Sequence, residues 1–381
     1  MALKFAHTSD WQWGMTRHFL KGEAQSRYTQ ARFDAVHEAG RVAAAHGCAF
    51  MVAAGDVFDD NLLEPQIVLR GLECLSELDP LPIYLLPGNH DPLDATAIFR
   101  SPEFLSRCPS NVHVLGSPEI VEAAPHVDLV PAPWTAKRPS TDPVTPVLDG
   151  LEHIPGRTRI VIGHGQVDTL NPNRLDPTLV RLDDLEEAIH NGLVHYVALG
   201  DRHSTTPLGT TGRIWYSGTP EVTSYTEKEP GNILIVELDG AAAHVAPSRV
   251  GQWSFHELQF EATRSDDVER IGQQLSDISD KTRTVVKLAL SGTLGIADHA
   301  RLQTVLGTAS TLFAAVEQWE RHSDFHVLPD LSDLDHLGLT GFASVALDEL
   351  TQQATANAVT ASQAQDALML LYRLAGGGHA R

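Results

Sequence analysis

The chain is short of cysteine, of basic residues and of long apolar runs, and each shortage removes a class of protein. Cys48, Cys74 and Cys108 are odd in number and never form a CxxC pair. That excludes a disulfide framework and a thiolate zinc site. Lys and Arg number 28 against 49 Asp and Glu, for a net charge of −21. The deficit is even: 8 against 13 in residues 1–100, 10 against 17 in 101–235 and 10 against 19 in 236–381. No basic block is available to grip a phosphate backbone by counterion release. With this balance, action on nucleic acid needs metal cations, local basic residues or a partner that supplies affinity. No apolar run approaches the roughly 18 residues of a spanning helix, so no membrane association is expected. Asp10 arrives before a signal-peptide core could form, which makes the cytoplasm the expected location. There is no Walker A loop, so any ATP dependence must come from another chain.

What is present is enough for a sizeable core: 381 residues, 42% hydrophobic and 20% charged, which suits two domains or one with an appendage. Short apolar runs at Leu3–Thr8, Cys48–Ala54, Ile83–Leu86, Arg159–Gly163 and His195–Leu199 end in Gly, Ser or Pro and read as buried strands. Ala24–His46 and Gln66–Leu78 between them have helical composition and spacing. Hairpin-like runs follow at Arg213–Ser217, Asn232–Leu238 and His244–Pro247, with Asp239-Gly240 as a turn. Three regions are therefore expected: 1–255, a layered α/β domain; 256–330, a smaller α+β unit; and 331–381, a linker at Asp330–Leu339 with two amphipathic helices, Gly341–Gln353 and Ala361–Ala375. In the smaller unit the pattern predicts helix Asp266–Ile278, strand Thr284–Ser291, helix Ala297–Phe313 and strand Val316–His322.

The carboxyl ends of the predicted strands carry the chemistry. They read Ser9-Asp10-Trp11-Gln12, Gly55-Asp56-Val57-Phe58-Asp59, Pro87-Gly88-Asn89-His90-Asp91, Gly163-His164-Gly165 and Gly200-Asp201-Arg202-His203. Open α/β sheets bind ligands in the crevice beyond these ends. Asp10, Gln12, Asp56, Asn89, His164, Asp201 and His203 are oxygen and imidazole donors, a set that suits Mn²⁺, Fe or Mg²⁺. Seven donors are too many for one ion and suit two that share a carboxylate. Singly, each has an ordinary alternative: Asp10 as a helix cap, Asp56 or Asn89 as a turn residue, His164 as an interior histidine. Five coincident strand ends make accident a poor explanation. Trp11 and Trp13 flank the site, with base stacking and core packing both open, and Arg17 and His18 follow the first motif.

These five motifs resemble those of the calcineurin-like metallophosphoesterases. The opening His7-Thr8-Ser9-Asp10-Trp11-x-x-Gly14, the run Gly55–Asp59 and the loop Tyr216-Ser217-Gly218-Thr219-Pro220 are similar to SbcD-type DNA repair nucleases. The resemblance implies a four-layer α/β/β/α sandwich with a C-terminal capping domain. It also implies two divalent ions, Mn²⁺ foremost with Mg²⁺ or Fe as alternatives, a homodimer, and DNA opened by an SbcC-like ATPase partner. One ion would take Asp10, Gln12, Asp56 and His203, the other Asp56, Asn89, His164 and Asp201. Two departures stand out: Gln12 replaces the family's His, and Gly200-Asp201-Arg202-His203 replaces GHxH. Both replacements still donate oxygen and make the sites harder, which favours Mn²⁺ or Mg²⁺ over Zn²⁺. His90 is the expected general acid, with Asp91 either orienting its imidazole or capping a helix. Asp59 and Arg202 are candidate substrate contacts. Competing readings are a phosphodiesterase or phosphatase for a small molecule, nucleotide or protein, and a catalytically silent scaffold for an ATPase.

Overall fold

A computed structural model describes residues 2–240, 242–328, 339–355 and 361–376. The chain has a mixed α/β fold in two compact units. The first comprises Met1–His18 and Gln25–Trp253, the second Phe19–Ala24 and Ser254–Arg381.

The first unit holds two six-stranded sheets. One is ordered β12-β11-β1-β2-β3-β4, with β1 at Leu3–Thr8, β2 at Met51–Ala54, β3 at Ile83–Leu86, β4 at Val112–Val114, β11 at Asn232–Asp239 and β12 at Ala242–Arg249. The other is β5-β6-β7-β8-β10-β9: Val121–Ala124, Val127–Pro131, Thr158–His164, Tyr196–Gly200, Ile214–Tyr216 and Thr206–Leu208 in that order. β1, β2 and β3 run parallel, as do β6, β7 and β8. Parallel strands covered on both faces need continuous apolar runs, which is what these segments contain. Phe5, Val52 and Leu234 of the first sheet share one core with Ile160, Ile162 and Tyr196 of the second. On the first sheet's other face, helix α1 (Glu23–Ala45) contributes Phe33, Val36, Ala39 and Ala43 at helical spacing, and α2 (Pro65–Ser76) contributes Val68, Leu72 and Leu75. The helix Leu182–His190 covers the second sheet through Leu185, Ala188 and Ile189.

Several expected boundaries move. Strand β2 starts at Met51 rather than Cys48, because the Cys48 amide closes the preceding helix on the Ala43 carbonyl. The run Arg213–Ser217 is not a hairpin partner of Asn232–Leu238. It contains β10, which pairs with β8 and β9 in the other sheet, while β11 and β12 form the hairpin.

The second unit is a small sheet, β13 (Ser254–Ala262), β14 (Thr284–Gly295), β15 (Ala315–Gln318) and β16 (Asp324–Leu328), all pairing parallel to β14. Helices Ser265–Asp277 and Ile296–Leu312 pack on it through Val268, Ile271, Leu302 and Leu306. The expected strand Val316–His322 ends at Gln318 and turns into a short 3₁₀ segment, Glu320–His322. Residues 19–24 join this unit, with Phe19 edge-on to Phe255 at 5.7 Å. The expected linker lies outside the described residues as far as position 338. The two tail helices are Phe342–Thr355 and Ala361–Gly376, and their apolar positions divide. Leu368, Ala364 and Ala354 are buried with Ile296 and Val327, whereas Phe342, Val345, Leu370 and Leu374 are exposed.

Candidate metal centre

The strands β1, β2, β3, β7 and β8 deliver their carboxyl ends to one place. Backbone pairing continues past the first two: the amides of Asp10, Gln12 and Trp13 bond the carbonyls of Gly55, Asp56 and Val57 at 2.8–3.0 Å. Asp10, Gln12, Asp56 and Asp201 have φ of 55°, 43°, 55° and 95°. Seven described non-glycine residues have positive φ, and these four are among them. Such conformations cost on the order of 1–3 kcal/mol each and persist where surrounding structure holds them. Much of that hold comes from Arg32, buried on α1, whose guanidinium donates to the carbonyls of Asp10, Trp11 and Glu221. The Thr219 hydroxyl also donates to the Asp10 carbonyl, at 2.9 Å.

Asp10, Asp56 and His164 are buried, and their ligating atoms lie within 4.8 Å of one another. His164 donates from Nδ1 to the Ala54 carbonyl at 2.8 Å, which turns Nε2 toward the crevice. Nε2 lies 2.7 Å from Asn89 Oδ1, 3.4 Å from Asp56 Oδ1 and 3.9 Å from Asp201 Oδ1. Around this atom, itself one of the donors, lie the other three expected for one ion. Of the other four, His203 Nε2 sits 3.7 Å from Asp10 Oδ1. Gln12 is buried, and its Oε1 has no hydrogen-bond partner among the described residues. A buried amide oxygen left unpaired costs about 1–3 kcal/mol, and a divalent cation is a partner it can take. The packing around these groups is close: a methyl group at Gly55 would overlap the His164 imidazole, and one at Gly88 the Asp56 carboxylate.

The electrostatics favour a cation. Burial is the largest influence on Asp10 and raises its pKa, against the lowering effect of His203 and His164. Burial would also raise Asp56, but His164 and His90 outweigh it and hold this carboxyl low. Asp201 is raised by burial and by its carboxylate neighbours. His164 resists the lowering effect of burial because Asp56, Asp10 and Asp201 surround it, and its pKa is raised well above the usual imidazole value. Three carboxylates around one imidazole leave negative charge that a bound divalent ion would neutralise. The donor set, the unpaired Gln12 oxygen and this charge fit divalent metal.

The remaining expected residues fall in different places. His90 lies at the rim, partly exposed; its Nδ1 donates to the Asp59 carbonyl at 2.8 Å and its Nε2 is 3.9 Å from Asp56 Oδ2. Asp91 neither orients that imidazole nor caps a helix. Its carboxylate accepts the amides of Gly88 at 2.7 Å and Phe58 at 3.0 Å, so it pins the second and third motif loops together. Burial and the Asp56 charge push its pKa up to about 7. Asp59 is half-buried beside His90, with its Oδ1 3.8 Å from Nδ1. Arg202 Nε donates to Thr206 Oγ1 at the start of β9. Trp11 and Trp13 are core: both are buried, and Trp13 stacks on Phe33 at 5.1 Å. Sequence reasoning missed Arg32 and also Trp134, whose indole donates to the His164 carbonyl at 2.7 Å. An arginine in the apolar stripe of α1 was the available signal for the first.

The family model for calcineurin-like phosphoesterases matches residues 3–236, so the chain belongs to that family. No curated protein matches the chain significantly.

Proposed function

We propose that this phosphoesterase is a metal-dependent DNA exonuclease or endonuclease of the SbcD type, acting in DNA repair with a pair of Mn²⁺ ions. The observation that supports this reading most is the place of the loop Tyr216–Pro220, one of the segments similar to those nucleases. Ser217 Oγ lies 2.8 Å from Ser9 Oγ, which itself donates to the Asp10 carboxylate. Thr219 holds the Asp10 carbonyl. The subfamily-like loop thus supports the first ligand directly.

Asp10, Gln12, Asp56 and His203 would hold one ion and Asp56, Asn89, His164 and Asp201 the other. Bound there, the ions would clamp phosphate oxygens and bring water into its nucleophilic form near neutral pH. The chain's own residues do the rest. His90 keeps Nδ1–H on the Asp59 carbonyl, so Nε2 is the atom that carries a proton toward the leaving oxygen. Asp91 ties the Gly88 amide of the His90 loop to the Phe58 amide beside Asp59. Asp59 and Arg202 remain proposed substrate contacts. An SbcC-like ATPase, a homodimer and a cytoplasmic location belong to the same proposal, and such a partner would offset the −21 charge on approach to DNA.

The test is incubation with Mn²⁺ and end-labelled linear DNA, with a chelated control. Metal-dependent shortening or nicking is the expected result. Hydrolysis of bis(p-nitrophenyl) phosphate without DNA cleavage would favour the small-substrate reading. Two bound ions with no hydrolysis of either substrate would favour the scaffold.

A further inference from the structure

His203 is held from behind by two residues that no strand-end motif contains. Its Nδ1 lies 3.0 Å from Glu227 Oε1 and 2.7 Å from Thr223 Oγ1. Glu227 is on an irregular loop, yet only 5% of its side chain is exposed. Its other oxygen accepts the Thr223 amide at 2.9 Å, and the Thr223 hydroxyl donates to Oε1. The loop is stitched to the one carrying His203: the Lys228 amide donates to Ser204 Oγ at 2.9 Å and Thr205 Oγ1 to the Glu229 carbonyl at 3.1 Å. Burying a carboxylate is costly unless its oxygens are satisfied, and here they are spent on His203 and on the residue beside it.

We infer that Glu227, assisted by Thr223, is the positioning residue for His203, fixing the imidazole with Nδ1 protonated so that the Nε2 lone pair faces Asp10 and a divalent cation. The inference rests on the metal-centre reading above and extends it to a residue 24 positions beyond His203. A carboxylate behind a ligating histidine sets both its tautomer and its rotation, and raises its basicity toward the metal. The same arrangement appears at His164 with a neutral acceptor, the Ala54 carbonyl. The two imidazoles are thus oriented by acceptors of different charge.

Mn²⁺ titration by calorimetry, with bound metal counted by elemental analysis, reads the effect. Glu227→Ala should weaken the site by about 10–100-fold. Glu227→Gln, whose amide oxygen still accepts from Nδ1–H, should lose less than the Ala variant. Equal affinity in all three proteins would overturn the inference. A purely structural role is separated by ¹⁵N chemical shifts of His203 in the folded, metal-free protein, read at a pH high enough that the imidazole is neutral. The wild type should show the Nδ1–H tautomer, and an Nε2–H tautomer there would also overturn the inference, even if the Ala variant does not fold. A wild-type chain that bound no Mn²⁺ would count against the metal centre itself, and the tautomer measurement would still decide the role of Glu227.

Discussion

Each unit of this chain contains parallel strands packed by helices, but the two treat the carboxyl ends of those strands in opposite ways. In the first, buried Asp10, Gln12 and Asp56 converge there on strained backbone beside buried His164, and among the described residues the Gln12 amide oxygen is left unpaired. In the second, a carboxylate just beyond a strand does ordinary work: Asp267 accepts the amides of Thr263 and Arg264 at 2.9 and 3.0 Å, at the start of a helix. Among the described residues, the candidate metal cluster lies in the first unit. Parallel α/β architecture therefore supplies a rim but not a function; the residues at the rim decide that.

The largest effect should come from abolishing the contrast at its centre. Asp56→Asn keeps the shape that accepts the His90 amide at 2.9 Å but removes the shared charge. Metal content should fall below two ions per chain by elemental analysis. Hydrolysis of a phosphodiester should drop by about 10⁴-fold or more, since the ions supply several kcal/mol and each 1.4 kcal/mol is about tenfold. Two ions and near-normal turnover would remove Asp56 as the bridging ligand.

A smaller effect separates proton transfer from metal binding. His90→Gln should keep both ions and slow DNA cleavage by about 10²–10⁴, the usual worth of a general acid. A model ester with a good leaving group should be much less affected, because its departing oxygen hardly needs a proton. Wild-type cleavage of DNA by this variant would show that the acid lies elsewhere. Smaller again is the expected change at Asp201, whose carboxylate lies 3.9 Å from His164 Nε2. Asp201→Ala should weaken Mn²⁺ binding at one of the two ions, whereas Asp201→His should retain both and shift preference toward softer metals. Full occupancy of both sites in Asp201→Ala would mean that Gly200–His203 is no ligand motif.

The contrast also explains what was legible in the sequence. The strands bearing the site were readable because buried parallel strands are short apolar runs, and ligands must follow them at once. Strand β6 was not, because its run Val127–Pro131 contains Asp128 and ends in proline; its carboxylate is held by Arg157 at 2.6–2.8 Å, a pairing no local pattern reveals. Strand β13 was missed although Leu258-Gln259-Phe260-Glu261-Ala262 within it alternates apolar and polar residues at the strand period. At the site, residue types announced the donors, but their supports are distant in sequence: Arg32 lies 22 positions from Asp10, and Glu227 lies 24 from His203. Asp91 was misread for the same reason, since its partners Gly88 and Phe58 become visible only when two loops meet.

The least effect on catalysis, and the sharpest test of the second unit, comes from the tail. Leu368 is fully buried with Ile296, Val327, Ala354 and Ala364, so the tail helices belong to that unit's packing. Leu368→Ala should cost about 2–5 kcal/mol, the transfer loss plus the cavity left behind. Leu374, 73% exposed, should cost less than about 0.5 kcal/mol on the same change. Denaturant melts of the two variants should therefore differ in midpoint while both keep wild-type Mn²⁺ content and hydrolysis of a small phosphodiester. If the exposed face of Phe342, Val345, Leu370 and Leu374 is where an ATPase partner docks, Leu374→Ala should weaken that complex without moving the melt. Equal stability of the two variants would show that Leu368 is not a packing residue. A loss of metal in Leu368→Ala would show that the metal centre depends on the tail's packing.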